Sequence, residues 1–403
     1  MRTCLLVASL AALSACSGGG VESAGSTPVG GGPADPQSAH SFVAPTLPKT
    51  YVGIGGSQVY QYTTDDRDCC GQQAQVYGGN ATTPRNSGIS IAYDPRDAIF
   101  TLTVSDPLSG AATNTRFQDP GSRTDFGGSK EPQWGTPNLD NPNIRYLQAG
   151  DGNPLSPYRQ SGTGAILPGN NSTPPIGGEG STYQATSFFY EVPGSTTKYV
   201  TFAGYVRNAL SWANTEIGGQ QAFQHTWNLE RGAFAYGELT NTNAVPKTGT
   251  GSYSGSMLAT MVYNPTLDGT ELPTYFQWIS GTSQLNVDFG ASTLTATLDG
   301  KVTAPQIDYR AGLPTTVLPA GTTFTATGSG HIDLAGTGGF TGAFNDARFT
   351  APDASVHQVT VAGSSLDGAF YGPAAEEIGG GFRIVGGTPD QRIDILGAFT
   401  GKK

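Results

Sequence analysis

Cysteine is scarce in this chain of 403 residues, with four in all: Cys4, Cys16, Cys69 and Cys70. That excludes a disulfide-stapled scaffold, and no His or second Cys pair stands at zinc spacing. Charge is sparse too. Asp, Glu, Lys and Arg make up 13% of the chain, and 31 acidic residues outnumber 21 basic ones, for a formal net charge of −10. An acidic chain of this kind is a poor nucleic-acid binder. It also lacks the dense basic run that would hold it to anionic lipid. No apolar run reaches the roughly 20 residues of a spanning helix, and no long segment shows helical apolar spacing. Motifs of chemistry are missing as well: there is no G-x-S-x-G, H-E-x-x-H, P-loop or G-x-G-x-x-G. The four His, at 40, 225, 331 and 357, do not cluster. His331 and His357 fall in expected strands, where a solvent-facing or hydrogen-bonded ring is the ordinary reading. Glu376 and Glu377 are adjacent, so on a strand they face opposite sides and cannot easily cooperate. The sequence therefore reads as a non-enzyme with no metal and no cofactor.

What is present begins at the N-terminus. Met1-Arg2-Thr3 carries an early positive charge, and an apolar stretch follows from Cys4 to Leu13. Its length fits the apolar region of a secretory signal. It ends in Leu13-Ser14-Ala15-Cys16, which resembles a bacterial lipobox: small residues suit the peptidase, and the Cys16 thiol receives the lipid. Ser17 follows, with no Asp to retain the protein at the inner membrane, which favours the outer membrane. Residues 17–48 are mostly Gly, Ser, Pro and Ala and cannot bury enough surface to offset their ordering entropy. They read as a flexible tether with a reach of about 30 Å. Attachment to the membrane is then by the lipid alone. Cys69-Cys70, the pair left after processing, sits in a polar stretch and is a candidate vicinal disulfide in an oxidising compartment.

Gly is abundant, with 58 residues, and it punctuates short runs rich in Thr, Val, Tyr and Phe. Such runs predict many short strands and turns. Gly88 to Val104 predicts a hairpin that turns at Asp94-Pro95-Arg96-Asp97. Residues 106–180 are mostly turn formers with isolated aromatics, and Trp134, Tyr146 and Tyr158 are candidate ligand contacts. The bland reading is that these rings staple loops onto the domain. Tyr199 to Asn208 predicts a strand covered on both faces. Leu285, Val287 and Phe289, then Leu294, Ala296 and Leu298, alternate with polar residues and predict a second hairpin across Gly290-Ala291-Ser292. Further strands are expected around Phe324, Ile332–Leu334, Phe340–Phe344, Val356–Val361, Phe382–Val385 and Ile393–Phe399. Closing them into a barrel removes exposed edges.

The most specific motif runs from Asp367 to Gly380. Its key residues are Gly368, Phe370, Tyr371, Gly372, Pro373, Glu377, Gly379 and Gly380. Read from the residues, it is structural. Gly372-Pro373 turns the chain, Phe370 and Tyr371 point to opposite faces, and Glu377 is either a solvated charge or a partner for an inward Arg383. A second block spans Tyr236 to Thr240 and Val245 to Gly255, and Leu396-Gly397-Ala398-Phe399 closes the chain. Together these blocks resemble the C-terminal barrel of the transferrin-binding protein B family of surface lipoproteins. Tyr199 to Asn208 looks like the last strand of that family's handle domain.

The resemblance implies an all-β fold, with an N-terminal β handle followed by an antiparallel eight-stranded β-barrel. The expected divisions are a signal peptide at 1–15, a lipidated Cys and linker at 16–48, a handle at 49–235 and the barrel at 236–403. There is room for one handle and one barrel, as in single-lobe relatives. The resemblance further implies a cell-surface protein that binds a protein or small ligand and serves a TonB-dependent transporter. A Slam-type translocator would deliver it to the surface. A structural or adhesive surface lipoprotein shares the fold and anchor, and partner data separate the two. A hydrolase on a β scaffold would need a convergent cluster that the sequence does not display.

The anchor has a direct test. Cys16→Ser is expected to abolish lipid incorporation and leave an unprocessed or unanchored protein. Unchanged labelling by radioactive lipid would overturn the lipobox reading.

Overall fold

A computed structural model describes residues 41–65, 73–80, 84–118, 135–150, 158–160, 166–168, 182–264, 275–303, 318–388 and 391–403. Cys16, the expected tether up to residue 40, Cys69-Cys70 and Trp134 lie outside the described residues. The last part of that tether, 41–48, is not a free linker, because Phe42 is buried in the core of the first half against Tyr51 and Tyr236. Regular structure among the described residues is β, apart from 3-10 turns such as Pro84–Asn86 and Thr242–Ala244.

The first half is a sandwich. Its strands are β1 (Lys49–Val52), β2 (Ile54–Asp65), β3 (Gln73–Asn80), β4 (Ile89–Asp94), β5 (Ile99–Ser105), β6 (Ala112–Gln118), β7 (Ile144–Gly150), β8 (Tyr158–Gln160), β9 (Ile166–Pro168), β10 (Thr182–Glu191), β11 (Val200–Ile217) and β12 (Gln220–Gly237). One sheet has the order β1-β4-β5-β6 and the other β3-β2-β12-β11-β10-β7, while β8 and β9 pair with each other. Alternation along each strand decides what is buried where. Ala203 and Tyr205 of β11, with Phe234 and Tyr236 of β12, meet Ile91, Phe100, Leu102 and Phe117 of the small sheet. Their neighbours Phe202, Val206, Ala233 and Ala235 face the other way, onto the second half of the molecule.

That second half is a barrel of β13 (Thr250–Asn264), β14 (Tyr275–Asp288), β15 (Thr293–Val302), β16 (Thr323–Asp333), β17 (Gly339–Thr350), β18 (Val356–Gln358), β19 (Val361–Tyr371), β20 (Glu377–Gly386) and β21 (Arg392–Lys402). The order is β16-β15-β14-β13-β21-β20-β19-β17-β18, and the β16–β17 pairing closes it into an antiparallel ring of eight, with β18 extending the wall beside β17. β17 pairs with β19 near its start and with β18 near its end. Inward residues such as Leu285, Val287, Leu294, Leu298, Phe324 and Phe349 fill the lumen. The all-β class, with a β domain ahead of an eight-stranded barrel, is as expected.

Three local expectations need correction. Residues 106–180 do not lack regular structure, because β6 and β7 cross them. β6 hides from pattern reading because its residues are mostly polar, and Phe117 is its one fully buried side chain. Tyr199 to Asn208 is not the last strand of its domain: β11 runs on to Ile217 and β12 follows it in register over its whole length. β12 escapes notice because Gln, His, Asn and Glu interrupt its apolar residues. His357 is not solvent-facing, since it pairs with the inward Phe349 on β17.

The closed ring and self-contained lumen core generate a prediction. A fragment from residue 240 to Lys403 is expected to fold alone, with β-type circular dichroism and a cooperative thermal transition. A fragment without such a transition would make the sandwich an obligate part of the core.

Candidate functional site

The motif residues gather at the seam between sandwich and barrel. Phe370 and Tyr371 are neighbours on β19 and so point to opposite faces. Phe370 enters the lumen, its ring centroid 5.6 Å from Phe289 and 5.7 Å from Phe340. Tyr371 faces outward and is buried in the seam with Val200, Phe202 and Ala369. Gly372 then takes a φ of +86°, a left-handed conformation that glycine adopts without a Cβ penalty. The exposed Pro373 continues the turn. Gly368 and Gly380 stand opposite each other on β19 and β20.

Glu377 opens β20 and is neither a solvated charge nor a partner of Arg383. Its buried carboxylate accepts three backbone N–H groups from the start of the sandwich strand β11: Lys198 at 2.5 Å, Tyr199 at 2.7 Å and Val200 at 3.1 Å. Charge-assisted bonds of this type are among the stronger ones a protein makes. The backbones also approach closely. A Cβ on Gly379 would lie 2.6 Å from the Val200 side chain, and one on Gly381 would lie 2.5 Å from the Gly55 Cα.

Arg383 faces outward, not inward, because Phe382 and Ile384 take the lumen positions beside it. Its Nε and Nη2 donate to the two oxygens of Asp394 at 3.0 and 2.6 Å, and the Tyr77 hydroxyl donates to the same carboxylate at 2.5 Å. Burial and the neighbouring Asp394 hold the Tyr77 phenol well above its ordinary range. Gln58 donates to the Asp394 carbonyl at 2.8 Å, and Arg85 to the Gly368 carbonyl at 2.6 Å. Further along, the Trp278 indole of β14 donates to the Gly135 carbonyl at 2.6 Å, and Arg231 lies over the Phe276 ring at 5.5 Å. Sequence reading missed Tyr77, Arg231, Trp278 and Asp394, since each stands alone in its strand without a motif. Inside the sandwich, Arg207 and Tyr205 both donate to the buried Glu230. Burial pushes that carboxyl up, against the pull of Arg207.

The candidate contact residues are scattered. Tyr146 is half-buried on β7, its ring 5.6 Å from Phe189. Its hydroxyl donates to the Pro137 carbonyl at 2.9 Å and accepts from the Leu139 N–H at 3.3 Å. Burial pushes this phenol up to about 12. Tyr158 lies on β8 opposite Pro168.

The molecule is polar end to end. Lys49, at the start of β1, pairs with Glu238 at 2.5 Å, and the Gly372 N–H donates to the Glu238 carbonyl. That end carries the tight turns at Gly290–Ser292 and Gly372–Glu376. At the opposite end, the barrel strands are joined through residues 265–274, 303–322, 351–355 and 387–391. The far part of the β11–β12 hairpin runs toward that same end, since Leu229 and Tyr60 pack on Val262 and Phe276 there.

Residues 245–403 match the family model described as the C-lobe and N-lobe β barrels of transferrin-binding protein B. Among curated proteins, none matches this chain. Similar solved structures include a mutant of the vaccine antigen transferrin-binding protein B from Haemophilus parasuis. It is 14% identical, with 88% of this chain and 76% of that one covered and a TM-score of 0.30. The isotype 1 transferrin-binding protein B from Neisseria meningitidis is 11% identical over 89% and 77%, with a TM-score of 0.26. A structure named as a surface lipoprotein is 16% identical over 59% and 90%, with a TM-score of 0.22. At such TM-scores these structures place no residue of this chain.

Removing the Glu377 carboxylate tests the seam. Glu377→Ala leaves three N–H groups without their acceptor, that of Val200 buried and those of Lys198 and Tyr199 part-buried, and is expected to cost about 2 kcal/mol or more. Glu377→Gln keeps one acceptor oxygen and should lose roughly half of that. Urea midpoints read both, and an Ala variant as stable as the wild type would show that the carboxylate is not what holds the seam.

Proposed function

We propose that this transferrin-binding protein B-like chain is a lipid-anchored protein of the outer-membrane surface that captures a ligand and passes it to a TonB-dependent transporter. The barrel match at residues 245–403 carries this reading. The names of the similar structures state transferrin as the ligand of those proteins; for this chain the proposal is a protein or solute ligand of the uptake system. A Slam-type translocator is the proposed route to the surface.

The end-to-end polarity supports the same reading. The tether would join ahead of Phe42, which packs on Tyr51 and Tyr236 at the end that carries the tight turns, so the opposite end would face away from the membrane. Long connections and hairpin ends on a rigid scaffold are where binding residues concentrate. The seam makes sandwich and barrel a common support for them. Binding is the whole mechanism in this proposal, with no bond made or broken in the ligand.

The test uses cells. A strain lacking this chain should import the ligand poorly when it is dilute and recover with the wild-type gene. Affinity capture with the full chain from outer-membrane extract should retain a TonB-dependent transporter. Normal import with lost adherence, and no transporter retained, would favour the adhesive reading instead.

A further inference from the structure

The barrel lumen is lined mostly by apolar side chains, and one layer stands out for its polar ones. At the end with the long connections, five strands or their flanks each bring in one polar side chain. Tyr263 ends β13 within the lumen core. Gln277 of β14 stands opposite the inward Met261, and His357 of β18 opposite the inward Phe349. Thr322 and Gln391 lie two residues before the inward Phe324 and Ile393, on the same alternation. The layer is shared across the lumen: the Tyr263 and His357 rings meet edge to face at 6.5 Å.

None of the five is satisfied at its free atom. Tyr263 Oη, Gln277 Oε1, Thr322 Oγ1, His357 Nε2 and Gln391 Oε1 are all buried without a hydrogen-bond partner. Buried polar atoms are mostly paired, and of those left unpaired among the described residues five lie in this one layer of the lumen. The opposite end of the lumen gives the contrast. Tyr253 lies on the same strand and same inward face as Tyr263, and its hydroxyl donates to the Ala375 carbonyl at 2.8 Å. At one end the tyrosine hydroxyl finds its partner within the chain; at the other the five atoms named have none.

The chemistry of the set narrows the occupant. Gln277 Nε2 donates to the carbonyls of Thr303 at 3.1 Å and Leu318 at 3.0 Å, which fixes the amide orientation. Its Oε1 therefore presents an acceptor and needs a donor. Tyr, Thr and His can each donate or accept. The layer below is Met261, Ile279, Phe324 and Phe349, with no charge to offset an ion. Burial also lowers the His357 pKa, which favours the neutral ring.

We propose that this end of the barrel is a binding site for a small neutral molecule bearing N–H or O–H donors, of the primary amide or polyol type. The site is separate from the loop surface proposed above and does not depend on the transporter reading.

The test titrates the full chain in detergent with acetamide, and separately with acetate, a similar-sized anion without the donors. The readout is the imidazole resonance of His357, assigned by its loss in His357→Gln. Acetamide is expected to shift it saturably while acetate does not. Gln277→Leu should weaken acetamide by about tenfold or more, as the loss of one buried hydrogen bond does. Tyr263→Phe, which keeps the ring and the fold, should weaken it in the same direction. The proposal fails if acetamide gives no saturable shift, which would leave the layer to water alone. It also fails if acetate binds as well, or if both variants bind acetamide like the wild type.

Discussion

A strand that begins at an interface brings unpaired backbone N–H groups with it, and their satisfaction is the constraint on which this molecule turns. β11 begins in this way. Lys198, Tyr199 and Val200 donate into the seam, and the Glu377 carboxylate accepts from all three. A carboxylate can accept several such bonds, and a neutral side chain cannot match it. Everything around the acid serves its placement. The left-handed Gly372 reverses the chain, the small Gly379 lets β20 approach Val200, and Tyr371 fills the space beside it. The motif spacing is thus the spacing of a turn that delivers one acid to one strand end.

The same seam decides what kind of object the protein is. Apolar side chains from β2, β11 and β12 pack on outward residues of β13, β14, β19 and β21. The Asp394 cluster and the Trp278–Gly135 bond sit among them. Burying the Asp394 carboxylate and the Trp278 indole is tolerable because each finds partners of good geometry. Domains joined by small polar interfaces move against each other by default. This interface is apolar, and directional bonds from Glu377, Asp394 and Trp278 fix its register, so a ligand that touched both halves would meet one surface.

Legibility in the sequence followed how many faces a strand buries. The β14–β15 hairpin was plain, because each strand has one apolar and one polar face. Val200 to Val206 was plain because both faces are apolar and buried. β6 and the far half of β12 were hidden, because Thr, Asn, Gln and His recur along them in no diagnostic pattern. The motif was found by resemblance, and its structural role followed from its glycines. The partner of Glu377 was not legible at all. It is a set of backbone amides nearly 180 residues away in sequence, and backbone donors leave no mark on residue identity. Arg383 shows the same limit: its partner Asp394 is close in sequence, but only strand alternation in the folded ring says that both point outward.

Closure of the ring limits where recognition can occur. Eight strands paired all round leave no edge for an added strand, and the wall toward the sandwich is already covered. What remains is the free outer wall, the ends of the hairpins and the lumen. The outer wall on β15 and β16 carries Thr at alternate positions, such as Thr295, Thr297, Thr325 and Thr327, with few anchors of the aromatic kind that dominate interfaces. The closed end of the lumen satisfies its own tyrosine. By elimination, the end at which residues 265–274, 303–322, 351–355 and 387–391 join the strands is left, and the unpartnered polar atoms of the lumen lie at that end. A barrel of this type is then more than a support, because the geometry that spares its edges also concentrates its chemistry at one mouth.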